Sequence, residues 1–139
     1  MNPKTQIILD IVKNIGEENE LGTLYVEFKN VRCGRARHKT RKITIPNWIF
    51  NSCDEYIKWY IIHELTHFIA LDKHNYTGHR GIFRRIEKKY LKQYGLIPKY
   101  NRAYIKELYD LNGKYICNNI GEVKKEKVSD KTCIAWGQT

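Results

Sequence analysis

Apolar positions recur along this chain at two periods. From Lys4 to about Ile15, residues Ile7, Ile8, Ile11, Val12 and Ile15 fall three and four apart, which predicts an amphipathic helix ended by Gly16. Leu24-Tyr25-Val26-Glu27-Phe28 alternates instead, predicting a short strand with Leu24, Val26 and Phe28 on one face. Residues 31–45 read as two strands joined by a turn near His38–Arg41; the second is Ile43-Thr44-Ile45, closed by Pro46 and Asn47. Ser52 then stands as an N-cap with Glu55 three positions on, a capping box that opens a helix running to about Leu71. Ile57, Ile61, Leu65 and Phe68 make one face of that helix, and Tyr56, Tyr60, His63, His67 and Leu71 make another. A helix apolar on every side is buried on every side.

Asp72 to Gly78 is polar and reads as a loop. A second helix is expected from about Gly78 to Tyr94. His79, Phe83, Ile86, Tyr90 and Tyr94 share its packing face, with Leu91 nearby, while Arg84, Arg85, Lys88, Lys89 and Lys92 share the other. The tail from about Tyr100 is β-rich, with Asn112-Gly113 as a hairpin turn. Helices and strands in this order predict an α+β fold: an N-terminal helix, a small sheet, two helices and a short β-rich C-terminal tail.

The chain has 139 residues, enough for one domain with a real core. A hydrophobic fraction of 42% argues for a globular fold and against disorder. No run is long and apolar enough for a membrane span, and no signal-peptide pattern opens the chain, so a cytoplasmic monomer is expected. The four cysteines are scattered and form no dense disulfide framework, which fits a reducing compartment. Charge is the more informative property because it is uneven. Residues 29–42 hold seven Lys/Arg and no acid, and residues 80–99 hold seven more with only Glu87 against them. Such clusters favour polyanions through counterion release. Arg35, Arg37, Arg84, Arg85, Lys88, Lys89 and Lys92 are therefore candidate nucleic-acid contacts, with DNA the expected partner.

The chemistry centres on His63-Glu64-Leu65-Thr66-His67. On a helix, His63 and His67 lie one turn apart and about 40° apart around the axis, so both imidazoles can grip one metal ion. Glu64 sits beside them, placed to take a proton from a water at the metal, as in the His-Glu-x-x-His zinc hydrolases. Histidines and a glutamate inside a buried helix need partners, and a metal supplies them. The third ligand could come from His74 or His79. His79 is the expected one, since it lies where the second helix packs while His74 lies on a polar turn. His38 is expected to be a solvated loop residue.

These residues carry a resemblance. His63-Glu64-x-x-His67, a variable loop, then Gly78-His79-x-x-x-Phe83 resembles the SprT-like metallopeptidases, which include the Spartan proteases. The lead-in is similar too, with a basic VRCGRAR strand, a hairpin and ITIPNWIF before the motif helix. The likeness covers roughly residues 5–95. It implies a zincin-like core at residues 1–99 with an N-terminal helix, a three-stranded sheet and two zinc-bearing helices, and it implies proteolysis near DNA. SprT-like proteins often end in a zinc ribbon. Here Cys117-Asn118-Asn119-Ile120-Gly121 and Cys133-Ile134-Ala135-Trp136-Gly137 keep the first cysteine and the glycine of each knuckle. Two thiolates alone make a poor zinc site, so residues 100–139 resemble a metal-free ribbon whose Cys117 and Cys133 lie close together. An unrelated hairpin is the alternative.

One zinc per chain is expected at His63, His67 and His79. Three neutral ligands leave it its full charge and one open position, where the pKa of a water falls toward about 7. Glu64 is the expected base, passing the proton on to the leaving nitrogen of a peptide. A substrate strand is expected to lie antiparallel to an edge strand holding Ile43–Ile45. Tyr90, Tyr94, Tyr100 and Tyr104 are unranked candidates for a further oxyanion donor. The rival function is a non-catalytic nucleic-acid-binding protein with a structural zinc; an intact Glu64 favours the enzyme.

Overall fold

The computed structural model describes residues 2–102 and 104–118. Helix α1 spans Pro3–Glu18; Asn2 caps it by accepting from the Lys4 backbone N–H at 2.9 Å, and proline stands in the first turn. Its buried stripe holds Ile8, Ile11, Val12 and Ile15, as the periodicity predicts, but Gly16 does not end the helix: it is buried within it and α1 runs on to Glu18. Strands β1 (Tyr25–Lys29), β2 (Arg35–Arg37) and β3 (Lys42–Pro46) follow, then a 3-10 turn at Asn47–Asn51 and helix α2 (Asp54–His74). Helix α3 (Ile82–Gln93) leads into a meander of β4 (Ile97–Asn101), β5 (Tyr104–Tyr109) and β6 (Tyr115–Asn118). The α+β expectation holds, with three helices and two three-stranded sheets among the described residues.

The first sheet has the order β1-β3-β2, with β3 parallel to β1 and antiparallel to β2. This corrects one expectation. Ile43–Ile45 lie in the central strand, so their backbone has neighbours on both sides and cannot receive a substrate strand. The sequence carries the reason: Ile43, Thr44 and Ile45 are all buried, and a strand covered on both faces is a continuous run rather than an alternation. Among the described residues the edges belong to β1 and β2.

Helix α2 is the axis of the fold. It is buried from Tyr56 to Ala70 apart from Lys58, as its all-round apolar pattern predicts. Its start differs from expectation. Cys53 is the N-cap and makes no side-chain cap bond. Ser52 is turned inward, 1% exposed, because the 3-10 turn ends on it: its N–H donates to the Ile49 carbonyl at 3.0 Å, and its carbonyl accepts from Lys4 Nζ. Asp54 and Glu55 still sit in the first turn, where they favour the positive end of the helix dipole. The helix also runs one turn past Leu71, to an Asn75 C-cap in the left-handed region (φ 50°). Asp72, Lys73 and His74 gave no apolar period to read there.

The second sheet joins the same core, since Ile105, Leu108 and Cys117 pack in one buried cluster with the residues of α1, α2 and the first sheet. The expected division at 99/100 falls inside β4. The β5–β6 hairpin turns where expected: Gly113 takes φ +85°, and Asp110 Oδ1 accepts from the Asn112 and Lys114 N–H groups at 2.8 and 2.9 Å. Cys53 is half-buried and Cys117 is buried. Cys133, Ile120 and Trp136, on which the ribbon comparison depends, lie outside the described residues. Among the described residues no helix is long and apolar enough to cross a membrane.

Candidate metal centre

His63 and His67 project from adjacent turns of α2, each 3% exposed. His79 reaches them from a bend, not from a helix. Helix α3 begins only at Ile82, because Gly81 takes φ +54° and ψ −111°, a conformation that side chains disfavour. The expected helix start at Gly78 is thus corrected to Ile82, and His79 lies in the segment before it. One nitrogen from each of the three histidines lies within 4.8 Å of the others. His67 Nε2 and His79 Nε2 are 3.2 Å apart. Two nitrogens bound to one tetrahedral zinc stand about 3.3 Å apart. The three imidazoles therefore lie close enough to hold one metal ion.

Phe83 forms the floor. Fully buried, its ring lies 5.0, 4.7 and 5.0 Å from the rings of His63, His67 and His79. The phenyl ring fixes three imidazoles from one side. His74 is outside the cluster, exposed on the last turn of α2. His38 is outside it too, bonded to Asp72 Oδ1 at 2.9 Å, which also accepts from Arg41 at 2.8 Å.

Glu64 follows His63 on α2 and is 0% exposed. Tyr60, one turn earlier, has its hydroxyl pKa pushed up, first by burial and then by the charge of Glu64. The Gly34 N–H donates to that hydroxyl at 2.6 Å. Only glycine permits the approach, because a Cβ at position 34 would lie 2.6 Å from both the Tyr60 oxygen and the Thr44 carbonyl. The entry to β2 is thus pinned one turn from Glu64.

No protein-family model, curated protein or solved structure matches this chain. The site must be read from its own geometry.

Sequence reasoning counted Glu87 only as a lone acid in a basic segment. It is instead 1% exposed, with Oε2 2.7 Å from His63 Nδ1. Its other oxygen, Oε1, accepts from the Tyr100 hydroxyl at 2.9 Å. The signal was present: Glu87 falls four residues from both Phe83 and Leu91, inside the apolar stripe of α3. An acid in such a stripe needs a buried partner. Burial, and then the adjacent Glu87 charge and hydrogen bond, push the Tyr100 phenol well above its ordinary pKa, with Arg84 opposing. It remains a donor.

The structure also ranks the tyrosines. The Tyr90 hydroxyl donates to Glu18 and accepts from Asn19 at 2.8 Å, which ties it to the end of α1. Tyr94 is partly buried against the core, and Tyr100 is committed to Glu87. Tyr104 is 42% exposed, with its ring 4.9 Å from that of His79. It stands at the mouth of the cluster. Among the basic residues, Arg85, Lys88, Lys89 and Lys92 are exposed on α3 and Arg35 and Arg37 on β2. Arg84 is only half-exposed: it donates to the Arg102 carbonyl and lies over the Tyr100 ring at 4.2 Å. It braces the second sheet rather than joining the solvent-facing stripe.

Proposed function

We propose that the chain is a zinc-dependent endopeptidase of the SprT-like kind. The observation that carries this reading is a completely buried carboxylate, Glu64, next in sequence to one of three converging imidazoles. A structural zinc needs only the histidines. Burying a carboxylate beside them costs several kcal/mol in general, which is understandable if it acts as a base. His63, His67 and His79 would hold the ion, one per chain. When bound, zinc supplies a Lewis acid that polarises a peptide carbonyl and makes a water more acidic. Glu64 would take the proton from that water and pass it to the leaving nitrogen. Tyr104, whose exposed ring lies 4.9 Å from that of His79, would donate to the developing oxyanion. An extended substrate would pair with β2, the edge strand whose Gly34 entry is bonded to Tyr60 one turn before Glu64.

The exposed Arg35, Arg37, Arg85, Lys88, Lys89 and Lys92 favour a companion reading. They would bind DNA through its phosphates and bring the site to DNA-associated proteins. A nucleic-acid-binding protein with a structural zinc is the rival, and it predicts no cleavage.

The test is an unfolded polypeptide incubated with the zinc-loaded chain and with its Glu64→Gln variant, products being read by mass spectrometry. The variant keeps shape and metal but loses the base, so cleavage should fall roughly 100-fold or more. Absent cleavage by the zinc-loaded native chain, or equal cleavage by both, refutes the enzyme reading.

A further inference from the structure

A buried carboxylate relay adjoins the histidine cluster, running from His63 through Glu87 to Tyr100. His63 Nδ1 lies 2.7 Å from Glu87 Oε2, and Tyr100 OH lies 2.9 Å from Glu87 Oε1. The side chains of His63 and Glu87 are 4% and 1% exposed. An ionised carboxylate only accepts hydrogen bonds, so the imidazole nitrogen facing it must carry the hydrogen. That fixes the tautomer and directs the lone pair of Nε2 to the metal side. The Tyr100 hydroxyl can donate to the second oxygen, which stops the carboxylate from rotating away. Three elements are tied by two hydrogen bonds: α2 through His63, α3 through Glu87 and β4 through Tyr100.

We propose that Glu87 is a positioning residue for the metal centre, held in turn by Tyr100, and that this pair sets the affinity for a divalent cation. The proposal rests on the metal-binding reading of the histidines but not on the peptidase reading. Two physical effects support it. A carboxylate on the far nitrogen raises the basicity of a ligating imidazole and fixes its ring, and removing such a partner typically weakens metal binding about 10- to 100-fold. Charge is the second effect. Glu64 and Glu87 are 0% and 1% exposed, and together they balance a divalent cation held by three neutral imidazoles. The second sheet thereby becomes part of the metal centre, since Tyr100 lies beyond the helical motif and cannot act without β4.

The test measures zinc affinity by chelator competition in the full chain, together with the visible absorption of the cobalt-substituted protein. Glu87→Gln keeps an acceptor oxygen and loses the charge; Glu87→Ala loses both. Zinc affinity should fall about tenfold in the first and about 100-fold in the second. The cobalt bands should shift in both. Tyr100→Phe should give a smaller loss with the same direction of spectral change. Ile8→Ala, a truncation of a buried α1 side chain outside the histidine cluster, serves as the comparison for general loosening. In the native chain, nitrogen NMR should find the hydrogen of His63 on Nδ1, a readout that needs no variant to fold.

Zinc affinity within twofold of native in a folded Glu87→Gln, or a His63 hydrogen on Nε2, overturns the proposal. Failure of the peptidase reading would look different: tight zinc with Glu87-dependent affinity, and no cleavage. A native chain that binds no zinc would overturn both.

Discussion

Phe83 offers the sharpest test of how the metal centre is held. Its ring touches all three histidine rings at centroid distances of 4.7–5.0 Å and is fully buried. Phe83→Ala leaves a cavity in that place, and such changes cost about 3–5 kcal/mol. For a domain of this size the melting temperature should fall by roughly 10–20 °C. Metal affinity should change by a separate amount. His63 stays fixed by Glu87, so the cavity frees two imidazoles, His67 and His79. Immobilising each again on binding costs about 0.5–1.5 kcal/mol. The sum, about 1–3 kcal/mol, corresponds to a loss of zinc affinity of about 5- to 150-fold. Ile8→Ala is the control. Ile8 is 1% exposed on α1, and its truncation costs a comparable 2–5 kcal/mol, roughly, without touching an imidazole. Isothermal titration of zinc into both variants, below their melting temperatures, separates the effects. If Phe83→Ala binds zinc as tightly as Ile8→Ala, the phenyl ring fills space and does not organise the ligands.

Three further outcomes follow from the same geometry. His79→Ala should lose the metal and His74→Ala should keep it, because His74 is exposed at the end of α2; elemental analysis showing the reverse would remove His79 from the site. Reversing Arg85, Lys88 and Lys89 to Glu should weaken DNA binding and flatten its salt dependence while leaving zinc content intact, since each phosphate contact releases counterions; unchanged binding in a salt titration would make the charge a solvated face. Asp72 ties the β2–β3 turn to α2. Partial burial alone would raise its carboxyl, but hydrogen bonds from Arg41 and His38, with their charges, outweigh that and hold it below the ordinary value. A depressed carboxyl stabilises the fold above its unfolded pKa of about 3.9, and this is lost as pH falls through the folded value. Asp72→Asn should therefore be less stable than native at pH 6, and urea unfolding should show the gap narrowing below about pH 4; a gap constant with pH would sever that link.

Much of the fold is legible in the sequence alone. The period of Ile7 to Ile15 placed α1, and the all-round apolar run from Tyr56 to Leu71 required a helix buried on every side. Two histidines four apart on such a helix must face one another across a turn, so local geometry alone brought His63 and His67 together. Local signals failed where the deciding partner was distant in sequence. Ser52 had the form of an N-cap, but packing behind the 3-10 turn drew it inward. Ile43–Ile45 looked like an available edge until β1 and β2 enclosed them, since alternation along one strand does not record its neighbours. His79 was chosen from a helical face that does not exist. It lies in the segment before α3, which starts only after Gly81, and a φ of +54° there is a permission glycine grants rather than a pattern it announces. Glu87 was the largest omission: a carboxylate among lysines reads as solvated until α3 packs on α2 and turns it toward His63. The motif and the helix that carries it were thus written in short-range periodicity. The ligand orientation, the relay to Tyr100 and the commitment of Arg84 to the second sheet came from contacts between elements, where burial decides which charges must find partners.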